Sequence, residues 1–181
     1  APAPAWRKHP AKRQRPAPAQ PLQHASTCFA PKDIKPQDPE LATTLVQRIF
    51  GGRLRSRVTC HSCRHNSDTY DPVMDLSLDV RKGIHSVKQA LEAFTAPEEL
   101  ADKYRCDQCH KSVNATKRFS IEQTPMVLTV HLKRFGIFGN KINKPISYAE
   151  RLQLGRYMSE RTADTDAYRL YAIVHHYGSG P

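Results

Sequence analysis

The chain has 181 residues, the size of one domain, with 39% hydrophobic and 25% charged residues, ordinary values for a globular protein. No apolar run approaches the roughly 20 residues of a membrane helix, and the opening APAPAWRKHP has charge with no apolar core after it, unlike a secretory signal. Lys plus Arg number 28 against 17 Asp plus Glu, a formal +11, but residues 1–32 hold six bases and no acid, which disfavours a uniformly basic domain that coats nucleic acid.

Nine of the 14 prolines lie at or before Pro39. Such a stretch buries too little apolar surface to offset its ordering entropy, so residues 1–39 are expected to lack stable structure, with the basic run a solvated tail. Residues 40–181 form the expected folded part. The chain begins with Ala and stops at Gly178-Ser-Gly-Pro181, so a piece of a longer protein is expected.

Leu41, Leu45 and Ile49, with Val46 and Phe50 beside them, make a helical face that Gly51-Gly52 can end by a left-handed cap. Leu54–Cys60 reads as a strand. Met74, Leu76, Leu78 and Val80 alternate with Val73, Asp75, Ser77 and Asp79, which predicts a second strand. Ser86-Val-Lys-Gln89 has the form of a capping box, followed by a helical stripe of Val87, Ala90, Leu91 and Phe94 that Pro97 limits. Further strands are predicted at Tyr104–Cys106, Thr116–Ile121, Met126–Phe135 and Tyr168–His175, with a turn at Gly136–Asn140 leading to Lys141 and Ile142. Several antiparallel strands, two helices and no internal repeat make an α+β fold dominated by β.

Four of the five cysteines form two pairs, Cys60-His-Ser-Cys63 and Cys106-Asp-Gln-Cys109, with 42 residues between them. Two residues between cysteines let one turn aim both thiolates at one ion, and two such turns complete a tetrahedral sulfur site suited to zinc. Disulfides and free buried thiols are the competing readings; with no secretory signature, one structural zinc ion is expected. The nearby His61, His65 and His110 are read as surface residues. A simple ribbon closes about 15–20 residues between its pairs, so this metal would tie together distant parts of a larger fold.

The motifs then form a series. Thr43-Thr-Leu-Val46 and Ile49-Phe-Gly-Gly-Arg-Leu-Arg-Ser56 lead into the first cysteine pair, followed by Ser67-Asp-Thr-Tyr-Asp-Pro72. Next come Tyr104-Arg-Cys106, Lys117-Arg-Phe119, Val127–Phe135 ending in Lys133-Arg134-Phe135, and Tyr168–Val174 before His176. This order resembles the ubiquitin-specific protease family of papain-like cysteine peptidases, in the branch that includes the nucleolar ubiquitin-specific protease, over about residues 41–178. The resemblance implies the fingers and part of the palm of that catalytic domain, with a zinc-ribbon fingertip. It implies a deubiquitinase as the whole, ubiquitin and ubiquitinated proteins as partners, no membrane, nucleic acid only through the basic tail, and an intracellular place in the nucleus (nucleolus) or cytoplasm.

The family's nucleophile box, Gly-Asn-Thr-Cys-(Phe/Tyr)-x-Asn, has only a short echo in Thr27-Cys28-Phe29. Pro31, Pro36 and Pro39 would break the helix whose N-terminus sharpens the thiolate, so Cys28 is not expected to be catalytic. In the family, the strand ending near His176 leads through a short loop to Gly-His-Tyr, which bears the base. His175 and His176 are therefore expected to have structural roles. No catalytic residue is assigned, and the fragment alone is expected to be inactive. Lys133 and Arg134 are read as solvated strand charges. A non-catalytic ubiquitin-binding protein or a zinc-dependent nucleic-acid-binding protein is the alternative, and no RNP, finger or helix-turn-helix pattern supports the latter.

Overall fold

The structure is a computed structural model that describes residues 26–31 as backbone, and 44–81, 83–136, 141–160 and 167–178 with their side chains. In chain order its elements begin with β1 (Ser26–Pro31), α1 (Leu45–Phe50), β2 (Gly52–Cys60), β3 (Asn66–Val73), β4 (Leu76–Asp79) and α2 (Val87–Phe94). There follow β5 (Glu98–Glu99), β6 (Tyr104–Arg105), β7 (Ser112–Val113), β8 (Ala115–Gln123), β9 (Leu128–Lys133), β10 (Arg151–Gln153), a 3-10 turn at Gly155–Tyr157, and β11 (Ala167–Val174). Among the described residues no helix is long and apolar enough to cross a membrane.

Five strands in the order β10-β11-β1-β9-β4 make one sheet, and β3-β2-β8-β5 make a second; β6 and β7 form a separate hairpin. The second sheet is antiparallel throughout, its centre running from Leu54 opposite Ile121 to Cys60 opposite Ala115. Along β2 the side chains of Leu54, Ser56 and Cys60 are buried while Arg53, Arg55 and Arg57 turn to the other face. At about 3.4 Å per residue, β2 carries Cys60 roughly 20 Å from Leu54. Leu54 and Ile121 belong to the hydrophobic core; Cys60 does not.

That core joins the two sheets to α2. It contains Leu76 and Leu78 from β4, Val130 and Leu132 from β9, and Val87, Ala90 and Leu91 from α2. The predicted apolar strand ending at Phe135 thus does form core, through Leu128, Val130 and Leu132, all nearly inaccessible. α2 packs because its stripe is continuous and its entry is capped: the Ser86 side chain accepts from the Gln89 backbone N–H at 3.1 Å.

Two expectations are corrected. Residues 1–39 were expected to be without stable structure, yet Ser26–Pro31 forms the central strand of the five-stranded sheet, with Cys28 opposite Thr129 on β9 and Ala172 on β11. Its partners lie about 100 residues or more away in sequence, so local composition carries no trace of the pairing; residues 1–25 and 32–39 lie outside the described residues. Beside the antiparallel pairs the first sheet has one parallel pair, β4 with β9. Gly51 is not a left-handed cap: its φ is −70°. Glycine is needed there because a Cβ would collide with the Gln47 carbonyl oxygen.

Candidate metal centre

β2 ends at Cys60 and β6 delivers Cys106, and each enters the same local structure. In the first knuckle the Cys60 N–H donates to the His65 carbonyl at 2.9 Å, and the Arg64 N–H donates to the Cys60 carbonyl at 3.0 Å. In the second the Cys106 N–H donates to the Lys111 carbonyl at 3.1 Å, and the His110 N–H donates to the Cys106 carbonyl at 2.8 Å. Residue four after the first cysteine is left-handed in both, with φ of 61° at Arg64 and 57° at His110. Two turns of equal spacing thus adopt one conformation, which is what CxxC thiols need to converge.

The first knuckle is tied to the start of β8 and meets the second at the sulfurs. His61 N–H donates to the Asn114 carbonyl at 3.1 Å, and the His61 Nε2 lies 2.6 Å from the Thr116 Oγ1, which donates to Glu99 at 3.0 Å. All four sulfurs lie within 4.8 Å of one another. Cys63 and Cys106 are separated by 3.6 Å, Cys60 and Cys109 by 4.0 Å. A disulfide needs about 2.05 Å, so these thiols are not paired covalently. A tetrahedron with metal–sulfur bonds of about 2.3 Å has edges of about 3.8 Å, which the two separations bracket.

The electrostatics agree. The Cys63 backbone N–H, against the cost of burial, pulls the Cys60 thiol down to about 7. At Cys63 the His65 backbone N–H pulls down, but burial and the sulfurs of Cys60, Cys106 and Cys109 outweigh it and push the thiol up to about 12. The Cys60 thiolate forms readily here and Cys63 resists ionising beside it, a frustration that a bound cation relieves. Cys60 and Cys106 are wholly buried while Cys63 and Cys109 are more open. Soft sulfur donors in a closed tetrahedral set fit a structural metal ion with no open position for a reacting group.

The other singled-out residues stand apart from this centre. His61, His65 and His110 are outside the sulfur cluster, and His61 ties the first knuckle to Thr116 on β8. His175 stacks on Tyr177, and the His176 ring meets Phe135 edge-on at 5.5 Å, on the far side of the core. The backbone of Cys28 is placed in β1, and its side chain lies outside the described residues. Arg134 corrects an expectation: it is 5% exposed, not solvated, and donates through Nη1 to the Ile142 and Lys144 carbonyls.

Residues 21–181 match the family described as ubiquitin carboxyl-terminal hydrolase. Human ubiquitin carboxyl-terminal hydrolase 42 is 48% identical over 76% of this chain, and ubiquitin carboxyl-terminal hydrolase 19 of Arabidopsis thaliana is 44% identical over 80%. The chain spans only 10% and 22% of those two relatives. Among solved structures, the SAGA DUB module of Ubp8, Sgf11, Sus1 and Sgf73 bound to monoubiquitin shares the fold with a TM-score of 0.60, 34% identity, and coverage of 65% of this chain and 28% of that one. The same module bound to ubiquitin aldehyde gives a TM-score of 0.64 at 28% identity, covering 78% of this chain and 35% of that one. The motif order, the two sheets and these matches agree: the chain belongs to the ubiquitin carboxyl-terminal hydrolase family.

Proposed function

We propose that this chain is the fingers and part of the palm of an intracellular deubiquitinase, and that its own task is to hold ubiquitin. The observation that carries the reading is the shared fold with a 34%-identical chain whose structure contains bound monoubiquitin. Cys60, Cys63, Cys106 and Cys109 hold one zinc ion, which fastens the two knuckles at the end of the finger sheet; the site geometry above supports this assignment. Ubiquitin and ubiquitinated proteins are the partners, and the nucleus or cytoplasm is the compartment.

In such an enzyme a cysteine thiolate attacks the carbonyl after the C-terminal glycine of ubiquitin, and a histidine takes and returns the proton. The four cysteines whose side chains are described all lie in the candidate metal cluster. On this reading the chain by itself binds ubiquitin without cleaving it. Titration with labelled ubiquitin, a fluorogenic ubiquitin amide and a ubiquitin probe with an electrophilic C-terminus tests this. Saturable binding, one zinc per chain and no turnover are expected. Absence of binding would refute the holding role, and a probe adduct on Cys28 would refute the inactivity.

A further inference from the structure

β9 and β11 are not neighbours, since β1 lies between them, yet the chain beyond their ends is tied together. Phe135 and Lys141 form an isolated antiparallel bridge just past β9. From there the Lys141 Nζ donates to the His176 carbonyl at 3.2 Å and to the Gly178 carbonyl, both just past β11. The Phe135 ring meets the His176 ring edge-on at 78°. Carbonyls beyond a strand's end have no ladder partner, and an ammonium is a strong donor to them.

The donor is itself held. The Ile142 N–H donates to the Arg134 carbonyl at 2.6 Å, and the buried Arg134 guanidinium donates to the Ile142 and Lys144 carbonyls at 3.2 and 2.6 Å. Lys144 in turn donates to the Arg81 carbonyl at 3.1 Å. On the receiving side Gly178 has φ of 145°, a conformation side chains rarely adopt, with its Cα hydrogen side facing the His176 ring. The segment is thus fixed at both partners.

We propose that Lys141 is a positioning residue, whose ammonium fixes His176–Gly178 and so sets the direction in which the chain leaves β11. Its bearing on catalysis rests on the deubiquitinase reading, in which the base-bearing segment follows this exit. The latch itself is decided without ubiquitin. Backbone ¹⁵N relaxation on the wild type, Lys141→Met and Lys141→Arg reads the order of residues 176–178, with core signals of Val130 and Leu91 confirming the fold. The wild type should show order parameters near about 0.85 there, and Lys141→Met below about 0.6.

Lys141→Arg should keep the order, because a guanidinium can donate to both carbonyls, and the ¹³C shifts of those carbonyls should move in the Met variant alone. Unchanged order in Lys141→Met would overturn the proposal. So would equal loosening in Lys141→Arg, which would mean that stem packing, not donation, holds the segment. Should the Met variant lose its core signals, Lys141→Leu, which also lacks a donor, is read in the same way. A wild-type chain that stays ordered at 176–178 but fails to bind ubiquitin would sink the functional reading alone.

Discussion

Lys133 has a side chain 51% exposed and 3.9 Å from Asp79, while the next residue, Arg134, is buried against the carbonyls of Ile142 and Lys144. The two-residue period of a strand decides this: Leu132 and Arg134 share the inner face, and Lys133 points out. Burial lowers the Arg134 pKa, and Nη1 donates to two backbone oxygens while the buried Nε has no partner among the described residues; a guanidinium stays charged even so. The finger sheet holds a second cation differently. Arg57 donates through Nε and Nη2 to both oxygens of Asp68, at 2.7 and 2.6 Å, across β2 and β3.

That fork lowers the Asp68 pKa, first by the Arg57 hydrogen bonds. A carboxylate depressed on folding adds stability that is fully present above the unfolded value of about 3.9 and is lost as pH falls through the lower folded value. Arg57 is 36% exposed, so the pair contributes no more than about 1 kcal/mol. Asp68→Asn should cost up to that amount at neutral pH, and the two proteins should converge once the pH has fallen through the lowered Asp68 value, as urea melts at the two conditions would show. A cost that persists unchanged in acid would mean that shape, not charge, is what Asp68 supplies.

Among the elements, those with an apolar period were legible and those defined by a distant partner were not. Val87, Ala90, Leu91 and Phe94 announced α2, and its observed span matches. Its expected capping box is only half formed, because the Gln89 side chain accepts from His85 rather than from the cap residue. The complete box is at α1, where Thr44 and Gln47 exchange both bonds, and the signal lay in their spacing. β3 was invisible because Asn66–Val73 is polar and mostly exposed: an edge strand paired with β2 alone has no buried side to print a period. The CxxC pairs were legible because ligand spacing is local, whereas the meeting of the two knuckles is set by Cys60 opposite Ala115.

α2 is thus the best place to test the element-scale account. Ser86→Ala removes the acceptor for the Gln89 N–H and should cost about 1 kcal/mol. Leu91 is fully buried in the core shared by both sheets, so Leu91→Ala should cost about 2–5 kcal/mol. Chemical denaturation of each variant against the wild type gives both numbers. If the two were equal, α2 would be held by its end rather than by its face.

At the scale of the whole molecule, the metal centre and the hydrophobic core stand at opposite ends of the same two long strands. None of the four cysteines belongs to the core cluster, while Leu54 and Ile121, at the other end of β2 and β8, do. The second knuckle's own hairpin is short: β6 and β7 pair over two residues each. Zinc in small modules contributes about 10–16 kcal/mol of apparent binding energy, so on the proposed zinc assignment its removal should release what it alone fastens. Chelation, or Cys106→Ser, should therefore raise amide exchange over residues 60–66 and 104–113. Protection in β4, β9 and α2 should remain, and along β2 it should fall off steadily from Leu54 toward Cys60. Hydrogen exchange read by mass spectrometry resolves these segments. Loss of protection throughout the chain on chelation would show that fingertip and core unfold as one unit, and that the metal fastens the whole fold rather than its tip.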